Sequence, residues 1–213
     1  MIRTRDMATG GIVAALALLS VVSLPELPAE MAVHFDSSGE PDNYVQAETF
    51  LAGSVLSAAG LAVLFTVLPR LDPLGENIAE FQTVYDGFVV ATLAFVGYIY
   101  GLILAYNLGV GFDMIQATVP AVAALYLLLA VLMRRVEQNW FVGIRTPWTL
   151  SDERVWDRTH KHTAPLFAVA GIVTLVGVVV PEYAVALMTV PILVVSVGSV
   201  LYSLVLYQRL DSA

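Results

Sequence analysis

The sequence predicts an all-α membrane protein with six transmembrane helices and both termini in the cytoplasm. Three observations lead there. Of its 213 residues, 58% are hydrophobic and only 13% are charged, where a soluble domain carries about a quarter charged residues. The apolar residues gather into stretches of the length that crosses a bilayer, about 17–25 residues: Met7–Leu24, Thr49–Leu68, Gly87–Tyr106, Ala117–Met133, Ala164–Val180 and Tyr183–Tyr207. Finally, the basic residues alternate. Arg3 and Arg5 precede the first stretch, and Arg70 lies between the second and third. Arg134, Arg135, Arg145, Arg154, Arg158 and Lys161 lie between the fourth and fifth, and Arg209 follows the sixth. All ten fall on one side of a six-span chain, and cytoplasmic loops are the ones enriched in Lys and Arg.

The chain is therefore read as one membrane domain over 1–213. It divides into a first helix pair (7–68) with an outer loop (25–48), third and fourth helices (69–133), a cytoplasmic loop (134–163), and fifth and sixth helices (164–207). The first stretch follows two arginines, as a signal peptide would. It is read as a retained helix, because Leu24-Pro25-Glu26-Leu27-Pro28 follows it rather than a small-residue cleavage site. Gly97, Gly101 and Ala105 in the third span, Gly53, Ser57 and Gly60 in the second, and Ser196, Ser199 and Ser203 in the sixth form small-residue stripes for helix packing. No span carries an ionisable residue near its middle, which weighs against ion-coupled transport. Tyr98, Tyr100, Tyr106 and Asn107 could still line a polar cavity, and Pro191 could kink the last span.

Net charge is −8. Glu26, Glu30, Asp36, Glu40, Asp42, Glu48, Asp113 and Glu182 lie on the outer side. Adaptation to high salt is the favoured reading, and attraction for a cationic external ligand the sharper one. Without cysteine there is no disulfide or thiol chemistry.

Three connections carry pattern. In the outer loop, Met31-Ala32-Val33-His34-Phe35 alternates as a short strand does, and Asp36 to Asp42 is dense in turn formers. His34 and Asp36 make a weak metal pair, and local hydrogen bonding with a turn cap is favoured, so no metal or cofactor is expected. Next, Leu68-Pro69-Arg70-Leu71-Asp72-Pro73-Leu74-Gly75-Glu76-Asn77 leads into Ile78, Phe81, Tyr85 and Phe88 at helical spacing, an extension of the third span with Asp72 as a cap.

The fourth connection is the most informative. It reads NWFVGIRTPWTLSDERVWDRTH from Asn139 to His160 and holds all three tryptophans. Gly143 and Pro147 interrupt helix, then Thr149 caps a helix running to about His162 with Asp152 and Glu153 in its first turn. Asp157 and Lys161 are an i,i+4 pair, and Pro165 opens the fifth span. Two readings are open. One is an interfacial helix anchored by Trp148 and Trp156, with Arg145 facing lipid phosphates. The other is a docking surface or pocket lining built from Asn139, Trp140, Phe141, Gly143, Arg145, Thr146, Pro147, Trp148, Thr149, Trp156 and His160.

Together LPAEMAVHFDSSGEPD, LPRLDPLGENI and NWFVGIRTPWTLSDERVWDRTH resemble the SdpI immunity-protein family, the first being similar to the small domain of unknown function near that family's start. The resemblance implies a non-catalytic multi-pass membrane protein that protects a cell from a secreted peptide toxin and recruits a transcriptional repressor to the membrane. It places His34, Phe35, Asp36, Gly39 and Pro41 toward toxin, and the Trp140–His160 loop toward the cytoplasm. A small transporter or exporter is the alternative. A membrane enzyme is disfavoured, because the polar candidates divide between His34 and Asp36 outside and His160 and His162 inside. Partners are then the bilayer, a peptide toxin and a repressor, with no direct nucleic acid contact. The charge alternation makes one prediction directly: a tag inserted after Ser38 reacts with a non-permeant reagent on whole cells, and a tag after Ser151 reacts only after lysis.

Overall fold

A computed structural model describes residues 3–211. Of the domain expected over 1–213, residues 1–2 and 212–213 lie outside the described residues. Helix α1 (Thr4–Ser23) ends in a single 3₁₀ turn, and a hairpin follows, β1 (Glu30–Phe35) and β2 (Pro41–Gln46). Helix α2 (Ala47–Leu71) leads through the one-and-a-half-turn α3 (Gly75–Glu80) into α4 (Gln82–Asn107) and α5 (Met114–Met133). After the long connection come the single-turn α6 (Pro147–Ser151), then α7 (Glu153–Val176) and α8 (Ala184–Asp211).

Among the described residues, α1 with its turn, α2, α4, α5 and α8 with the turn before it are long and apolar enough to cross a membrane. This is a multi-pass membrane protein. The stretch expected as the fifth span is the exception. Its helix does not begin at Pro165 but runs unbroken from Glu153 through that proline. Eight of the first ten residues of α7 are polar or charged, and the apolar run begins only after them. Thr159, His160 and Thr163 in the first half are buried by protein rather than lipid. The segment expected as a separate interfacial helix is thus α6 plus the first half of α7.

Helix α7 packs between α5 and α8. Gly171 permits the close approach: a Cβ there would lie 2.9 Å from Leu127 Cγ and 3.0 Å from the Ala123 carbonyl. Ser199 and Ser203 of the expected small-residue stripe are buried against this face, and Thr163 donates to Ser199 Oγ at 3.0 Å. On the other flank α1 packs on α4, where Gly97 meets Ile12 and Leu16. Buried Arg5 pairs with Asp6 at 2.8 Å and Asp86 at 3.2 Å, so its charge is compensated.

A bilayer offers no water to unpaired polar groups, and the polar side chains of the apolar helices are bonded locally. Tyr98 donates to the Ala117 carbonyl at 2.8 Å, Tyr126 to that of Met188 at 2.8 Å, and Tyr100 shares a 2.6 Å bond with Ser20. Tyr98, Tyr100 and Tyr126 thus tie helices together, and Tyr100 also lines a cleft between α2 and α4.

The expected strand of the first connection is β1, and beyond the expected turn it has an antiparallel partner, β2. Glu30 pairs with Gln46, Met31 with Val45 and Ala32 with Tyr44. Pro41 sits at the first position of β2, where a strand tolerates proline. Gly39 takes φ +84° in the turn. Asn107 at the end of α4 holds the hairpin down. It accepts from the Ala32 N–H and donates to the Ala32 carbonyl, both at 2.9 Å, as a neighbouring strand would. Met31 beneath is fully buried. Replacing Asn107 with Ala orphans both Ala32 groups and should cost about 2 kcal/mol. The expected readout is faster amide exchange at Ala32 and Met31 and a lower thermal midpoint in lipid discs, while exchange around His160 stays unchanged.

Candidate functional site

The hairpin, the 108–113 connection and the turn at 177–183 meet at one end of the bundle. The residues expected to act together at the other end do come together there, as one hydrogen-bonded knot. Asn139 is its pivot, with no exposed surface. Its Oδ1 accepts from the amides of Phe141 (2.9 Å) and Val142 (2.7 Å), and its Nδ2 donates to the carbonyls of Glu137 and Val142, both 2.9 Å. All four hydrogen-bonding positions of one amide side chain are thereby used to bend the chain.

His160 closes the next turn. Its Nδ1–H donates to the Trp156 carbonyl at 2.8 Å, and its Nε2 accepts the Ile144 N–H at 2.8 Å. This requires a neutral ring with its proton on Nδ1. Burial, the largest cause, pushes its pKa down to about 4. The ring stacks on Trp156, centroids 4.1 Å apart, and the Trp156 indole donates to the Val136 carbonyl at 3.0 Å. Both nitrogens of His160 bind backbone, which leaves neither for a substrate proton. Gly143 lies against this pair at φ +118°, where a Cβ would sit 2.6 Å from His160 Nε2.

The helix start is three residues earlier than expected. Thr146, not Thr149, caps α6, with Pro147 in its first turn, and the two threonines cap reciprocally: Thr149 N–H donates to Thr146 Oγ1 at 3.2 Å and Thr146 N–H to Thr149 Oγ1 at 2.8 Å. Thr149 Oγ1 also donates to the Ile144 carbonyl at 2.8 Å. Asp152 then caps α7 through the amides of Arg154 and Val155. The Arg154 side chain beside it holds its carboxyl down at about 2. Asp157 and Lys161 form the expected i,i+4 pair at 2.7 Å.

The tryptophans divide differently from an interfacial anchor set. Trp156 is 1% exposed inside the knot, and Trp148 donates its indole N–H to Ser203 of α8 at 2.6 Å. Trp140 alone of the three is open, 51% exposed, and exposed Arg145 donates to its carbonyl at 2.9 Å. The reason is the polar half of α7: packed inside protein, it draws Trp156 inward with it.

Sequence reasoning missed the partner of this knot. Buried Asp72 accepts the Leu74 N–H with Oδ1 at 2.8 Å, the local cap that was expected, and the Trp140 N–H with Oδ2 at 2.9 Å. Asn77 donates to the Gln138 carbonyl at 2.7 Å, and Gln138 reaches the carbonyls of Thr149 and Leu150. The second and third patterned connections are one assembly. Their paired polar residues were visible as turn formers, but nothing in local spacing tells that they face each other.

At the hairpin end, His34 bonds Asp42 across the strands. Asp36 holds the turn by accepting from Ser38 N–H (2.8 Å), Ser38 Oγ (2.6 Å) and Glu40 N–H (3.1 Å), all through Oδ1. These bonds, the Ser38 hydroxyl first, keep its carboxyl below the usual range. Phe35 packs edge-on against Tyr106, centroids 4.7 Å apart, while Gly39 lies over Ile115 and Pro41 opens β2. His34 and Asp36 thus turn to separate local partners.

Residues 135–206 match the SdpI/YfhL protein family, and residues 11–58 match a domain of unknown function, DUF1648. The first span contains the Asn139–His160 knot and the second contains the hairpin, so the resemblance read from those motifs stands. The immunity protein SdpI of Bacillus subtilis (strain 168) is 35% identical over 82 residues, which are 38% of this chain and 40% of that protein. The chain thus spans about two fifths of the length of that curated relative. No solved structure matches it. The Leu68–Asn77 connection lies outside both family matches, yet it is bonded to the knot.

Two predictions follow from this geometry. Gly143→Ala should destabilise by about 2–3 kcal/mol, since it combines an unfavourable φ with a clash. Trypsin cleavage at Arg145 and Arg154 would then accelerate. His160 binds its proton more weakly folded than unfolded, near 4 against about 6.5. The neutral-state stability is whole above pH 6.5, falls as pH drops toward 4, and is lost by about 3 kcal/mol below that. Thermal midpoints in lipid discs should show this slope, and His160→Gln should lack it.

Proposed function

We propose, on the premise of an SdpI/YfhL segment at residues 135–206, that this chain is a non-catalytic immunity and sensor protein of the cell membrane. In this reading the apolar second half of α7 is the fifth of six crossings, and both termini lie in the cytoplasm. The hairpin faces a secreted peptide toxin, with His34, Phe35, Asp36, Gly39 and Pro41 nearest to it. The Asn139–His160 knot faces the cytoplasm and presents Trp140 and Arg145 to a transcriptional repressor.

The observation that carries the reading is the contrast between the buried knot and its exposed tip. Asn139, Thr146, Thr149, Asp152 and His160 serve the segment's own backbone, while Asp72 and Arg145 hold the backbone of Trp140, whose large ring stays open on the surface. Exposed aromatic and Arg side chains on a rigid base are what protein interfaces use as anchors. The basic residues of this end, against the wholly acidic hairpin end, support the assigned faces.

A host sensitive to the peptide tests it. Cells making the wild-type chain should survive exposure and cells without it should not. Arg145→Ala and Trp140→Ala should leave the amount of folded protein in the membrane within about twofold, because both side chains are exposed, while repressor recruitment is lost. Equal loss of folded protein and recruitment would contradict the docking assignment.

A further inference from the structure

Beneath the hairpin lies a cleft of about 490 Å³, lined by Val33, Phe35 and Asp36 above and Ile115, Thr118 and Met188 below. A second, of about 400 Å³, runs between α2 and α4, with Phe50, Gly53 and Ser57 on one wall and Phe95 and Tyr100 on the other. Ile99 and Ile103 line both. The two clefts therefore share one turn of α4, and together they make up an apolar groove below the hairpin. A Cβ at Gly53 would meet nothing within 4 Å, so the α2 wall is open rather than filled by another helix.

The mouth is charged in one sense only. The connections at this end carry Glu26, Glu30, Asp36, Glu40, Asp42, Glu48, Asp113 and Glu182 and no Lys or Arg. Asp36 stands at the rim itself. Its three bonds all go to Oδ1, and among the described residues nothing donates to Oδ2. One oxygen of an exposed carboxylate is thus left facing outward while the other is fixed by the turn.

We propose that this groove is the binding site for a cationic, amphipathic peptide, whose apolar side chains lie along Ile99 and Ile103 and whose Lys or Arg groups meet Asp36 and the acidic rim. The inference rests on the reading of the hairpin as the toxin-facing side and adds the place and the chemistry. Charge selects this occupant. An anionic phospholipid would bring its negative headgroup to a mouth of carboxylates. A second copy of this chain would bring the same acidic hairpin to the same depth, and like charges at close range repel. A cationic peptide matches both the apolar floor and the rim.

The test uses the full chain in discs of zwitterionic lipid and a short synthetic amphipathic helix with Leu on one face and Lys on the other, beside a twin with Glu in place of Lys. The Lys peptide should bind the wild-type discs at least about tenfold more tightly than the Glu twin does, and more tightly than it binds empty discs. Thr118→Phe puts a ring into the cleft and removes only a bond from Thr118 to its own helix. It should weaken the Lys peptide about tenfold. Gly53→Leu should act similarly from the deeper wall. Asp36→Asn keeps the turn's acceptor and should weaken the Lys peptide about threefold while flattening its salt dependence.

Equal binding of the two peptides to wild-type protein overturns the proposal without recourse to any variant. So does unchanged binding by both Thr118→Phe and Gly53→Leu when each retains the wild-type thermal midpoint. A lipid tail as occupant would show as spin-label quenching in the groove that the Lys peptide fails to displace. The survival assay separates the two levels: wild type and Thr118→Phe protecting alike places the peptide elsewhere, whereas failure of wild type to protect removes the immunity reading itself.

Discussion

The neutral imidazole of His160 is the interaction on which the arginine-rich end depends. It joins a helix to a loop by accepting an N–H from Ile144 and donating to Trp156 of its own helix. Fixing Ile144 beside α7 leaves room for no side chain at Gly143 and lays the Trp156 ring against the loop. Ile144 also offers its carbonyl to Thr149, which sets the start of α6. A charged ring could not accept the Ile144 bond, so burial and hydrogen bonding favour the same protonation state.

The knot is tied at a second point. Asp72 lies just past the end of α2, and its carboxylate holds both its own turn and the Trp140 backbone. At the opposite end α2 begins directly from β2, where Ala47 N–H donates to the Ala29 carbonyl at 2.9 Å. One helix therefore joins the hairpin, the groove wall at Gly53 and the residue that positions Trp140. Coupling between two sites requires a shared element that both can bias, and α2 is the element that touches both. Among the described residues, it is the least buried within the bundle of the five helices long and apolar enough to cross.

Much of this architecture was legible in composition and spacing. Five crossing helices, the β1 strand, the Asp157–Lys161 pair and the collection of basic residues at one end all follow from local hydrophobicity and charge. What was not legible has a common cause. The polar half of α7 looked like an interfacial helix because its amphipathic content does not say whether water, lipid or protein covers it. Trp156 and His160 are inside because α5 and α8 leave a protein-lined space there. The second strand was hidden because Pro41, Asp42 and Asn43 are turn formers that an edge strand nonetheless tolerates. Asp72 and Trp140 are far apart in sequence, and a side chain that bonds a distant backbone leaves no periodic trace.

The most direct test is histidine NMR of the full chain in lipid discs, with ¹⁵N in the rings of His34, His160 and His162, assigned by single replacement. The account predicts one ring that stays neutral with its proton on Nδ1 and its Nε2 accepting a hydrogen bond, and that begins to titrate only well below pH 6. A His160 signal that titrates near 6.5, the ordinary value for imidazole, or that carries its proton on Nε2, would contradict it.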